Sequence, residues 1–247
     1  VLPYLKGLHI EAEDAVDHRS HNGTTAETNR RLKVVVPRIP RISNHTDFDV
    51  LRLHPQVDLT FVEEGQVVPA ADLIILPGSK NTINDLNWLV DNEWPAQIKK
   101  HLRYGGKLIG ICGGYQMVGQ HIHDPEGIEG KAGSQLGLQL MDFETTLAPV
   151  KQLTQVTAYL FGSKVRVDGY EIHMGITDGP DLIRPAIDLG DRTDGVISSD
   201  NQILCSYLHG LFDHHEACDA LLQWAGLDAD ASVDYQALRQ REIDRVA

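Results

Sequence analysis

Lys107-Leu108-Ile109-Gly110-Ile111-Cys112-Gly113-Gly114-Tyr115-Gln116 is the stretch on which the reading of this chain turns. From Leu108 to Ile111 it carries no polar side chain, the pattern of a short strand buried on both faces of a parallel sheet. The run leads straight into Cys112, two glycines follow, and a helix is expected from Tyr115 to about His121. Strand, sharp turn and helix with a nucleophilic side chain at the apex make a nucleophile elbow, where glycine tolerates the dihedrals and leaves room beside the nucleophile. A thiolate at a helix N-terminus is stabilised by the macrodipole, and the next N–H, that of Gly113, is placed to donate to an oxyanion. A cysteine after an apolar strand is ordinarily core. The flanking glycines, which a packed core does not need, tip Cys112 towards chemistry.

Upstream, Asp72-Leu73-Ile74-Ile75-Leu76 is a second continuous apolar run, closed by Pro77-Gly78. A helical stretch links the two from Thr82 to Tyr104, broken at Pro95. Val57–Val62 alternates like a half-buried strand, Lys33–Val36 is a β-branched run ended by Pro37, and Asn44 is placed to cap a short helix through Leu51. Strands alternating with helices predict an α/β fold: an open, mostly parallel, doubly wound (flavodoxin-like) sheet flanked by helices. Downstream the signals favour additional antiparallel strands, at Thr154–Phe161, Lys164–Val167, Tyr170–His173, Gly195–Ser198 and Gln202–Leu208. Helices are expected over His214–Ala225 and Val233–Arg245. Residues 1–30 are mostly polar and lack either period between Glu11 and Asn29, so they read as a linker or arm. One domain is expected over 31–225, with a helical extension over 226–247.

The bulk properties narrow the classes. A chain of 247 residues with 42% hydrophobic content buries a sizeable core. A formal net charge of −13 argues against a nucleic-acid partner, which requires a basic face. No apolar run approaches the roughly 18 residues of a membrane span, and Val1-Leu2-Pro3-Tyr4-Leu5 has neither the basic start nor the long apolar stretch of a signal peptide. The missing initiator Met suggests a piece of something longer. Cys112, Cys205 and Cys218 are an odd number without metal-type spacing, which favours free thiols and a cytoplasmic setting.

Acyl transfer by a thiolate needs a base, which can come from anywhere in the sequence. Of twelve histidines, His209 ends the apolar strand and precedes Gly210, the same kind of strand-end position as Cys112, where sites in open α/β sheets assemble. His173, at the end of Tyr170–His173, is the second candidate. His121 and His123 read as the far, solvated end of the helix after Cys112, and His214-His215 as surface.

Several stretches together resemble one family. Gly110-x-Cys112-x-Gly114-x-Gln116 is similar to the nucleophile motif of class I glutamine amidotransferases. With Leu76–Thr82, Asp124–Gly130, Gly169–Gly175 and Tyr207–Phe212 it resembles the glutaminase domains of the cobyric acid synthase family. Val36–Asn44 resembles the start of that domain, and the matches run in order along nearly the whole chain. The resemblance implies a glutaminase working through a Cys112 thioester, with His209 as general base and acid. It places Gly78 and Gly113 at the oxyanion hole, Gln116 near the glutamine pocket, and Glu171 and His173 in supporting roles. The class commonly carries a Glu two residues after the His; here Leu211 stands there, so another group orients His209 or a dyad suffices. Many relatives also carry Arg where Ile176 stands. L-glutamine is the implied substrate, and an N-terminal ATP-dependent synthetase domain of the same polypeptide the implied partner. No Gly-x-x-x-x-Gly-Lys-Ser/Thr loop occurs, so ATP and Mg would belong to that domain, and no cofactor or metal is expected in this one. Cobyrinic acid a,c-diamide synthase and the cell-wall precursor amidotransferase carry similar glutaminases; Pro37–Asn44 and the first five residues favour the cobyric acid branch. A cysteine peptidase would share the elbow but not Gln116, and a silent regulatory domain would have no use for an intact Cys112 and His209. Arg38 and Arg41 read equally as a docking patch or as a solvated loop.

Overall fold

A computed structural model of the chain describes residues 31–149, 152–160 and 162–228, together with Ala237, Gln240 and Asp244. The expected arm over 1–30 lies outside the described residues. So does most of the expected Val233–Arg245 helix, of which those last three residues are described and are helical.

The first half alternates as the apolar runs dictate. Strands β1 (Leu32–Pro37), β2 (Val57–Val62), β3 (Leu73–Leu76) and β4 (Lys107–Ile111) are joined through a 3-10 turn at His45–Phe48 and three helices, α1 (Asp49–Leu53), α2 (Thr82–Asp91) and α3 (Trp94–Arg103). Helix α4 (Gly113–Val118) follows β4 directly. The second half supplies β5 (His121–Asp124), β6 (Gly133–Leu136), β7 (Glu144–Thr146), β8 (Gln152–Leu160), β9 (Arg166–His173) and β10 (Ile176–Asp178). Then come β11 (Ile187–Asp188), β12 (Thr193–Asp194), β13 (Val196–Ile197), β14 (Ile203–Ser206), β15 (Leu208–His209) and α5 (His215–Trp224).

The main sheet has the order β13-β14-β4-β3-β1-β2. Its strands from β2 to β14 are parallel, and only the edge strand β13 is antiparallel. Counting the parallel strands along the chain gives the flavodoxin-like order 2-1-3-4-5. Because both faces are covered, consecutive residues of one strand feed opposite cores. Val34 and Val36 pack with Ile75, Ile109, Ile111 and Leu204 on one face. Val35 packs with Ile74, Leu76, Leu108 and Ile203 on the other. Two smaller sheets, β10-β7-β5-β6 and the antiparallel β12-β11-β8-β9-β15, complete the α/β architecture.

Four local expectations change. The helix expected over Thr82–Tyr104 is two helices, broken at Asn92–Glu93, where Glu93 takes a left-handed φ of 61°, and not at Pro95. Pro95 instead occupies the first turn of α3, where its missing N–H is harmless. Helix α4 begins at Gly113 and stops at Val118, so His121 and His123 lie on β5. Asn44 precedes the 3-10 turn but makes no side-chain cap, being left-handed at φ 51°. The strand expected over Gln202–Leu208 bends at Tyr207. Its first part stays in the main sheet, and its second crosses over to pair with β9, Leu208 opposite Glu171 and His209 opposite Tyr170. Gly169 permits that crossing, since a Cβ there would lie 2.0 Å from the His209 carbonyl oxygen.

Candidate active site

The carboxyl ends of β1, β3, β4 and β14 converge, as a doubly wound sheet requires at its switch point. Cys112 stands between β4 and α4 at φ 51°, ψ −106°, a conformation that non-glycine residues rarely adopt and that costs on the order of 1–3 kcal/mol. Its N–H donates to the Ser206 carbonyl at 2.9 Å, which ties the strained residue to β14. The glycines have steric reasons. A Cβ on Gly114 would lie 2.2 Å from the Leu76 carbonyl oxygen, and one on Gly113 would meet the Ser79 backbone at 2.9 Å. The elbow can turn only because α4 packs bare backbone against the β3 loop. The thiol is 7% exposed and donates to the Ile172 carbonyl oxygen at 3.4 Å.

His209 is fully buried beside it. Its Nδ1 is 2.7 Å from Asp47 Oδ2, and Asp47 Oδ1 accepts the Gly210 N–H at 2.9 Å. Asp47 itself is 2% exposed, so this is a buried ion pair reinforced by a backbone donor. Burial alone would push the imidazolium down. The Asp47 charge and hydrogen bond, with those of the Cys112 sulfur, outweigh it and raise His209 to about 10. Asp47 therefore holds the place left open at Leu211: it orients the imidazole and favours its charged form. The Asn44 amide lies 3.0 Å from His209 Nε2, and Tyr170 stacks on the ring at 5.4 Å. A Cβ on Gly78 would meet His209 Cε1 at 2.9 Å and Ser43 Oγ at 2.6 Å, so this glycine makes room for the imidazole.

A cavity of about 210 Å³ opens over the thiol, lined by Asn44, Ser79, Lys80, Cys112, Glu129 and His173 among others. It is smaller than the roughly 300–1,000 Å³ of drug-sized pockets and suits an amino acid. Lys80 and Glu129 bring one charge of each sign to it. Glu129 is positioned by accepting the Ile83 N–H at 2.8 Å, while its own N–H donates to Asp124 at 2.8 Å. Gln116 also lines the cavity, and its side chain is fully engaged. It accepts from Thr82 Oγ1 at 3.1 Å and donates to the Met174 carbonyl at 3.1 Å and to Tyr207 Oη at 3.3 Å. It thus ties α4 to the cavity wall. His173 stacks on Tyr207 at 3.8 Å with its Nδ1 buried and unpartnered, and burial lowers its affinity for a proton. His173 as a residue lines the cavity, with its unpartnered Nδ1 buried. Glu171, in contrast, forms a two-pronged ion pair with Arg192, so orienting His209 falls to Asp47.

The structure thus gathers Cys112, His209, Gly78, Gly113, Gln116 and His173 into one site and leaves Glu171 in an ion pair behind it. Asp47, Asn44, Lys80 and Glu129 were not assigned from the sequence. Lys80 and Glu129 lie inside two of the quoted motifs; Asp47, three residues after Asn44, carried no signal of its own.

The family model described as "CobB/CobQ-like glutamine amidotransferase domain" matches residues 33–217. Among solved structures, PurLQS from Thermotoga maritima superposes with a TM-score of 0.55 at 14% identity, covering 88% of this chain and 100% of that one. One described as a glutamine amidotransferase gives 0.59 at 15% identity, with 78% and 98% covered. A glutamine amidotransferase from Thermotoga maritima gives 0.52 at 11% identity, with 88% and 93% covered. At these identities the likeness is one of fold. No helix among the described residues is long and apolar enough to cross a membrane.

Proposed function

The chain belongs to the CobB/CobQ-like glutamine amidotransferase domain family, and from that premise we propose that it is the ammonia-supplying domain of a cobyric acid synthase, with Cys112 as nucleophile. The observation that carries the mechanism is a strained elbow cysteine, open to an amino-acid-sized cavity and backed by the buried Asp47–His209 pair.

The Cys112 thiolate adds to the carboxamide carbon of glutamine and forms a C–S bond. The resulting oxyanion is met by the Gly113 N–H and by the loop at Gly78 and Ser79. His209, held protonated by Asp47, gives its proton to the leaving nitrogen; the C–N bond breaks and ammonia departs. The neutral imidazole then takes a proton from water, whose oxygen attacks the thioester. Glutamate leaves, and the thiolate–imidazolium pair returns. Lys80 and Glu129 suit the α-carboxylate and α-ammonium of the substrate.

ATP and Mg would act on a synthetase domain elsewhere in the polypeptide, where corrin carboxylates are activated for amidation. The support for this acceptor is the resemblance of Val36–Asn44 and the first five residues to the cobyric acid branch. The test is glutamine-dependent amidation of a corrin carboxylate acceptor by the full-length protein with ATP and Mg. Amide formation that Cys112→Ser abolishes with glutamine, but not with ammonia, supports the reading. Transfer only to cobyrinic acid, or only to a cell-wall lipid precursor, would replace it with one of the sister enzymes.

A further inference from the structure

Away from this cavity, among the described residues, one group of three side chains brings metal-ligating atoms together: His121, His123 and Glu144, whose donors all lie within 4.8 Å of one another. On strand β5 the two histidines are two residues apart and therefore share a face. Glu144 stands directly opposite His121 on the parallel neighbour β7. Its carboxylate spans both rings, with Oε1 2.8 Å from His121 Nδ1 and Oε2 3.0 Å from His123 Nε2. The rings stack at 5.6 Å, and all three side chains reach solvent.

We propose that His121, His123 and Glu144 bind a divalent first-row transition ion of the zinc type. Two imidazoles and one carboxylate are a donor set suited to zinc, and unlike the all-oxygen shells of calcium and magnesium. Donors around a tetrahedral ion with bonds of about 2.1 Å sit roughly 3.4 Å apart, so the carboxylate contacts at 2.8 and 3.0 Å would open slightly and donors as far as 4.8 Å apart would draw in. A second observation points the same way. The other nitrogen of His123, Nδ1, is 2.7 Å from the hydroxyl of Ser134, opposite it on β6. Such an outer partner fixes the ring and leaves Nε2 free to ligate. Water would fill the remaining positions on the open side.

The ion would staple β5 to β7. Each connects to the cavity wall through a neighbour: β7 pairs with β10, which follows Met174, and Asp124, next to His123, fixes Glu129 through the N–H groups of Ile128 and Glu129.

The test uses the full chain with Zn(II) calorimetry and Co(II) absorption spectroscopy. The expected result is one ion per chain and Co(II) d–d bands without a sulfur-to-cobalt charge-transfer band. Both persist in Cys112→Ser. Binding weakens more than tenfold in His121→Gln/His123→Gln and in Glu144→Gln, whose circular dichroism and metal-free Tm are unchanged. Zinc raises the Tm of the parent by a few degrees and leaves that of the double variant alone. Binding that survives the double variant, a thiolate band lost with Cys112, or no binding up to millimolar ion would each overturn the site.

Discussion

At the scale of single residues, the arrangement rests on Asp47. Replacing it with Asn keeps the shape but removes the main charge that holds His209 protonated, leaving the Cys112 sulfur alone to oppose burial, which acts the other way. Asp47→Asn is expected to lower glutaminase kcat by up to about 10⁴-fold, the drop that follows when the orienting carboxylate of a catalytic triad is neutralised. The alkaline limb of its pH profile moves to lower pH, because the imidazolium is lost earlier. A profile identical to the parent's would remove Asp47 from the site. Cys112 and His209 were legible in the sequence because strand ends and glycines mark them locally. Asp47 was not, since its role exists only where a 3-10 turn after β1 meets the bend into β15. Asn44 was read as a helix cap and is not one, because a left-handed backbone turns its amide to His209 instead of to the helix N-terminus.

At the scale of elements, backbone clearance sets the elbow. In Gly114→Ala the new methyl would sit 2.2 Å from the Leu76 carbonyl oxygen, a main-chain atom that cannot rotate away. Overpacking of this kind costs about 1–3 kcal/mol. Urea unfolding should show a loss of that size, together with loss of glutamine hydrolysis as α4 shifts off β3; parent-like activity would contradict the account. The apolar runs at β3 and β4 revealed their strands because burial on both faces removes every polar residue. His121-Ile122-His123 misled, since polar–apolar–polar over so few residues fits a helix end as well as a strand. Only the pairing of β5 with β6 and β7 decides it.

At the scale of the whole molecule, the 2-1-3-4-5 winding was readable from alternating strands and helices, whereas the division of the later strands between two further sheets was not. Short β-signals do not name their partners, and the bend at Tyr207 moves one strand between sheets. Global stability should carry the charge state of the site. A folded-state value of about 10 for His209, above its ordinary 6.5, makes a contribution that is full below 6.5 and disappears as pH rises through about 10. Asp194, raised by burial to about 6 from 3.8, likewise loses stability as pH rises across that lower window. Tm should therefore fall between pH 6.5 and 10, and the fall should flatten in Asp47→Asn; a flat parent curve would contradict the buried ion pair. The most direct test of the central claim is glutamate release from glutamine by the protein, before and after treatment with 6-diazo-5-oxo-norleucine, with the labelled peptide identified by mass spectrometry. One label is expected, on Cys112, with loss of turnover in step with labelling. Glutamine hydrolysis that persists in Cys112→Ser, or inactivation with the label on another residue, would contradict that claim.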